Sequence, residues 1–144
     1  MVEGDTALAQ GLGIIDGDTF RLAGEVIRIS NIDAPEMPPR SRCWAEARLA
    51  RAATMELQRI RGEGTPGGFR ITREGQDRYS RTLARVSYDG GRTDAGETMI
   101  ARGMASPWTG RRWDWCAAVS DDPNGAAILR SPPSPIASML EANR

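Results

Sequence analysis

Two carboxylates three residues apart, Asp33 and Glu36, lie in the segment Ile32-Asp33-Ala34-Pro35-Glu36. Arg28 stands four residues ahead of that segment, and Arg81 closes a later Asp77-Arg78-Tyr79-Ser80-Arg81 run. Two acids and two guanidinium groups can supply a metal ligand, a base and a clamp for a doubly charged phosphate, which is what phosphodiester hydrolysis requires. Asp18, at the end of Asp16-Gly17-Asp18, adds a hard oxygen donor to Asp33. With no thiolate or imidazole nearby in sequence, the pair suits Ca²⁺ or Mg²⁺ and not a soft metal. So few protein ligands would leave water and a substrate phosphate to complete the shell. Taken alone, Asp16-Gly17-Asp18 is far more often a plain turn; in the company of the other motifs, the metal role is the better reading.

Composition removes several alternatives. The chain has no His, which excludes an imidazole base, a Ser-His-Asp triad and a zinc site with His ligands, so a carboxylate must do any general-base work. All 19 basic residues are Arg, and 19 acids balance them to a formal charge of zero. Nucleic-acid affinity must therefore come from a local cluster and not from a global field. The absence of Lys suits bidentate phosphate contacts, although a compositional bias of the source genome explains it more simply. Cys43 and Cys116 form no C-x-x-C pair, which argues against zinc or thioredoxin-type chemistry. A disulfide between them and two separate buried thiols are equally compatible with the sequence.

Residues that act together must be positioned by the elements around them. Leu8 to Ile15, the turn Asp16-Gly17-Asp18 and the alternating Thr19 to Ala23 predict a hairpin, and Val26 to Ile32, stopped by Pro35, predicts a third antiparallel strand. Cys43 to Arg61 changes to helical spacing, with Ala45, Leu49, Ala52, Ala53, Leu57 and Ile60 on one stripe and Gly62 as the stop. Strands follow at Phe69 to Arg73 and Thr82 to Tyr88. Asp94 with Glu97 then predicts a capped short helix over Thr98 to Arg102, closed by Gly103. The fold expected is α+β and mainly β: a five-stranded Greek-key barrel of the oligonucleotide-binding (OB) type, with the long helix inserted between strands three and four and one or two further short helices. A single domain over residues 1–130 and a Pro/Ser-rich tail over 131–144 complete the organisation expected.

Arg28 lies between Ile27 and Ile29 in a strand, so its side chain points to the face opposite theirs. Straight alternation would also put Arg28 and Asp33 on opposite faces. For both to reach one phosphate, the strand must bulge or bend near Ser30 to Ile32. Three tryptophans, Trp108, Trp113 and Trp115, flank Arg111 and Arg112; packing of this segment onto the barrel is favoured over base stacking.

At these residues the chain resembles the staphylococcal nuclease (thermonuclease) family. The resemblance runs from about Gly13 to Ala105, through Ile15-Asp16-Gly17-Asp18-Thr19, Arg28 to Glu36, Asp77-Arg78-Tyr79-Ser80-Arg81 and Ile100-Ala101-Arg102-Gly103-Met104-Ala105. The resemblance implies a Ca²⁺-dependent phosphodiesterase acting on DNA and RNA and leaving 3′-phosphate ends. It implies that Asp18, Asp33 and the backbone carbonyl of Ala34 hold the ion, that Glu36 activates water, and that Arg28 and Arg81 bind the scissile phosphate. Arg78 and Tyr79 match positions that contact the nucleotide's terminal phosphate. Ala34 stands where the family often has Thr, and Ser80 replaces a usual Gly, so a positive φ there would strain the loop presenting Arg81.

The implied partners are nucleic acids, with no membrane segment and no obligate protein partner evident. The rival readings are a non-catalytic binding module of the same shape and a metal-stabilised structural domain. The first residues, Met1-Val2-Glu3-Gly4-Asp5, have neither a basic region nor an apolar stretch, so no signal peptide is read there. The compartment stays open. A trimmed leader, the exported habit of many family members, or a Cys43–Cys116 disulfide would favour a secreted or periplasmic home over the cytoplasm.

Overall fold

A computed structural model describes residues 5–7, 12–62, 68–121 and 127–129. In chain order the elements are β1 (Asp5–Ala7), β2 (Leu12–Asp16), β3 (Thr19–Leu22), β4 (Glu25–Ile29), β5 (Ile32–Asp33), α1 (Trp44–Gly62), β6 (Phe69–Gln76), β7 (Thr82–Tyr88), β8 (Thr93–Asp94), α2 (Ala95–Ala101), β9 (Ser106–Pro107), α3 (Trp115–Ala118), β10 (Val119–Asp121) and β11 (Ala127–Leu129). Residues 8–11 of the first expected strand, residue 130 and the whole expected tail, 131–144, lie outside the described residues.

The architecture is mainly β and of the OB type, with the long helix following β4 and two shorter ones after it. Among the described residues, seven strands form one mixed sheet along the path β1-β6-β7-β4-β3-β2, with β8 added on β7. The five strands expected from sequence are β2, β3, β4, β6 and β7; β1 and β8 extend the sheet beyond that count. Neighbours pair antiparallel except β4 with β7, which run parallel with Ile27 opposite Thr82 and Ile29 opposite Ala84. That single parallel pair closes the crossover made by α1 between the β2-β3-β4 meander and the β6-β7 hairpin.

Alternation along β4 buries Ile27 and Ile29 completely in a core shared with Phe20, Phe69, Ile71, Val86 and Met99. The stripe of α1 that covers this core includes Leu49, Ala53, Leu57 and Ile60. Ala52, expected on it, is only half-buried, and Glu46, which an apolar periodicity could not select, is fully buried in its place. Asp94 caps α2 by accepting the Glu97 amide at 2.8 Å, and Gly103, at φ 76°, ends the turn beyond it.

The continuous strand expected over Val26 to Ile32 is broken. β4 ends at Ile29, Ser30 and Asn31 turn, and β5 starts afresh at Ile32, pairing with β9 so that Asp33 faces Ser106. The Ser30 amide still reaches the Ala84 carbonyl at 2.8 Å, while the Asn31 carbonyl accepts the Trp108 amide at 3.0 Å. Two partners, Ala84 in β7 and Trp108 just past β9, hold the two sides of the bend. It supplies the change of face that alternation between Arg28 and Asp33 demanded.

Gly17 sets how closely the β2-β3 turn approaches α1. A Cβ there would lie 2.7 Å from the Ala53 Cβ and 3.1 Å from the Ala34 Cβ. Gly17→Ala is thus expected to push the Asp16–Asp18 turn off the helix and cost about 1–3 kcal/mol of stability, as overpacking does. Thermal denaturation checks this, and an unchanged melting temperature would refute the close approach.

Candidate active site

A cavity of about 680 Å³ opens beside the β4-β5 bend. Seven of the eight residues picked out from sequence line it: Asp18, Arg28, Asp33, Glu36, Arg78, Tyr79 and Arg81. Ala34 is not part of the wall; it is buried, and its amide donates to Asp18 Oδ2 at 2.9 Å. Acids and guanidiniums from three separate sequence blocks therefore share one concave surface.

The floor is a buried charge cluster. Thr19 pairs with Arg28 across β3 and β4, and the Ile29 amide bonds the Asp18 carbonyl at 2.8 Å, so strand register alone brings Asp18 beside Arg28. The Arg28 Nη2 lies 3.5 Å from Asp18 Oδ2 and 3.6 Å from Asp33 Oδ1, a single cation facing two carboxylates. All three residues are less than a tenth exposed. The Thr19 hydroxyl, buried with them, donates to Asp18 Oδ1 at 2.7 Å. Asp33 Oδ2 accepts the Trp113 amide at 2.8 Å and the Trp115 indole N–H at 3.2 Å. Burial nevertheless pushes Asp33 up to about 6, against the Trp113 hydrogen bond and with help from the neighbouring Asp18 charge.

Glu36 is held by a network centred on two acids outside the wall's expected set. Its amide donates to Glu46 Oε2 at 2.9 Å, and the next amide, Met37, donates to Asp16 Oδ1 at 2.9 Å. Arg40 forks between Glu36 Oε1, at 3.2 Å from Nε, and Asp16 Oδ2, at 2.9 Å from Nη2. Burial raises the Asp16 pKa, the Met37 amide opposing it. Glu46 is desolvated too, but the Glu36 and Arg42 amides and Arg112 outweigh that and hold its carboxyl below the usual range. Cys43 and Cys116 are joined in a disulfide beside Glu46, whose amide donates to Cys43 Sγ at 3.3 Å.

The opposite margin is the loop between β6 and β7. Asp77 Oδ1 accepts the Tyr79 and Arg81 amides, and its Oδ2 accepts Arg81 Nε at 2.7 Å. Its carboxyl is lowered, the bonds from Arg81 and Tyr79 outweighing desolvation. Arg78 and Arg81 both stack on the Tyr79 ring, at 5.1 and 5.5 Å. Ser80 adopts φ 65°, so the strain expected at this Gly-to-Ser position is present.

The tryptophan-rich segment divides. Trp115 is fully buried and Trp113 packs on the core, whereas Trp108 lines the cavity and stacks on Arg28 at 4.7 Å. Asp16, Arg40, Glu46, Asp77 and Arg112 were not singled out from sequence as site residues. A charge on the apolar stripe of a helix, as at Glu46, was the one visible signal.

Three carboxylates, Asp18, Asp33 and Glu36, thus share one cavity with several arginines. Residues 26–114, well over half the chain, match the staphylococcal nuclease homologue family, and the chain belongs to that family. A comparison with curated proteins returned no match. Nuclease-family membership agrees with a cavity lined by arginines and acids, and no helix among the described residues is long and apolar enough to cross a membrane.

The raised Asp33 pKa has a consequence for stability. The folded state holds the Asp33 proton up to pH about 6, the unfolded chain only to about 4, so this group's contribution is full below pH about 4 and is lost as pH rises through 6. The loss is on the order of 3 kcal/mol. In chelator, the melting temperature of Asp33→Asn minus that of wild type is expected to climb between pH 4.5 and 7. A difference independent of pH would remove the assignment.

Proposed function

We propose that this protein is a calcium-dependent endonuclease that hydrolyses phosphodiester bonds of DNA and RNA, single strands preferentially, to give 3′-phosphate ends. The observation that carries the reading is the convergence of Asp18, Asp33, Glu36, Arg28 and Arg81 on one cavity. Membership of the nuclease family supports it from an independent direction.

The donor set fits a hard divalent cation. Asp18 and Asp33 are buried oxygen donors that line one cavity beside Arg28, a hard-oxygen pair of the kind that Ca²⁺ takes. Among the described residues no three or more Asp, Glu, Cys or His form a ready cage, so solvent and substrate oxygens would fill the remaining positions. With Asp18, Asp33 and the Ala34 carbonyl as its ligands, Ca²⁺ would supply positive charge next to the scissile phosphate.

The chain's own groups do the rest. Glu36 acts as general base: Arg40 holds one carboxylate oxygen, leaving the other to take the proton of the attacking water. Attack builds negative charge on the equatorial phosphate oxygens, which Arg28 and Arg81 neutralise. Asp77 fixes the Arg81 guanidinium beforehand, and Arg78 and Tyr79 hold a terminal phosphate.

Incubation with single-stranded DNA in Ca²⁺ is expected to yield 3′-phosphate fragments, and chelator to abolish cleavage. Glu36→Gln should lower kcat by about 10²–10⁴, and Arg81→Ala by about 10²–10³, each with little change in melting temperature. Binding without cleavage would convert the assignment to a non-catalytic module, and full activity in Glu36→Gln would remove the base.

A further inference from the structure

Five guanidiniums line the cavity, from three stretches of chain: Arg28; Arg78 and Arg81; Arg111 and Arg112. Arg28 faces Asp18 and Asp33, and Arg81 is bound by Asp77. Among the described residues, Arg78 stacks on the Tyr79 ring and has no ion pair or hydrogen bond, and Arg111, exposed, likewise has neither. The two cations without a carboxylate thus belong to different walls.

We propose that Arg111 and Arg112 form a second anion subsite, which binds a phosphate of the nucleic-acid strand flanking the one that is cut. The proposal rests on the reading of the cavity as a phosphodiester site. Arg112 is pre-set for this task. Its Nη2 donates to the fully buried Glu46 at 3.0 Å and its Nε lies 3.9 Å from Asp33, which fixes the guanidinium while leaving N–H donors for another acceptor. Gly110, at φ 101°, permits the turn that precedes the pair.

The segment is also anchored firmly enough to hold a subsite. Ahead of it, the Trp108 amide is tied to Asn31; behind it, Trp113 and Trp115 donate to Asp33, and Cys116 is joined to Cys43. A cation left unpaired on a rigid wall costs little desolvation of a partner when a phosphate arrives, and an adjacent fixed guanidinium adds bidentate geometry. Arg78 on one wall and Arg111 on the other match a strand with phosphates on both sides of the cut. The substrate class implied is therefore a polynucleotide in preference to a minimal dinucleotide.

Two measurements test this with Arg111→Ala, and with Arg21→Ala as a control that removes an exposed Arg outside the cavity. In a Glu36→Gln background with Ca²⁺, anisotropy of a labelled single-stranded oligonucleotide gives Kd over a salt series. Arg111→Ala should weaken binding about tenfold and lower the salt slope by about 0.7, the increment for one phosphate on a single strand. The control should leave both unchanged. With Glu36 intact, Arg111→Ala should lower kcat/KM for the oligonucleotide, chiefly through KM, several-fold more than for a dinucleotide lacking a flanking phosphate. Equal losses on the two substrates, or an unaltered salt slope, would overturn the subsite. Wild-type protein that binds the strand with the Arg111-dependent slope but cuts nothing would instead overturn the hydrolase reading and leave the subsite standing.

Discussion

Asp18 and Asp33 are buried together with only one guanidinium nitrogen, on Arg28, within 3.6 Å of both, and the rest of the site is arranged around that electrostatic debt. Two carboxylates removed from water repel each other, and Arg28, with Arg112 3.9 Å from Asp33, meets them at more than hydrogen-bonding distance and offsets this incompletely. The fold meets the remainder with hydrogen bonds: the Ala34 amide and Thr19 hydroxyl to Asp18, the Trp113 amide and Trp115 indole to Asp33. Even so, Asp33 titrates near 6.

Beside this cluster lie two further buried acids, Asp16 and Glu46. Asp16 and Glu46 receive the amides of residues 36, 37 and 42, and Asp16 also receives Arg40, so the loop that carries Glu36 is fastened through both backbone and side chain. Glu46 also receives Arg112, which links that loop to the segment after β9, and the Cys43–Cys116 disulfide joins the same two pieces of chain covalently. The two cysteines are 73 residues apart, and closing a loop of that length stabilises the fold by about 4 kcal/mol in the chain-entropy account. Its location beside Glu46 makes the same bridge a brace for the active-site wall.

Much of this was legible in advance, and for identifiable reasons. The α1 stripe, the β3 alternation and the Asp94 cap are local signals, carried by periodicity and by residues within a turn of each other. The bend after β4 was legible because alternation made Arg28 and Asp33 incompatible in a straight strand. Other features were not. Nothing local distinguishes Trp108, which faces the cavity, from Trp113 and Trp115, which pack, and a lone Glu on an amphipathic helix ordinarily faces solvent. Whether Cys43 and Cys116 would meet was open for the same reason: pairing over such a distance depends on where the chain goes between them.

The sequence by itself determined the element order, the hard-donor character of the candidate ligands, the absence of imidazole chemistry and the family, because residue type and short-range spacing carry these. Only the tertiary structure decided which charges share a cavity, which acids are buried as anchors, and which arginines are left without a carboxylate. Those outcomes depend on burial and on contacts between residues 60 or more apart, such as Arg112 with Glu46 and Trp113 with Asp33. Desolvation and Coulomb energy act on distances in space, which a linear order of residues does not contain.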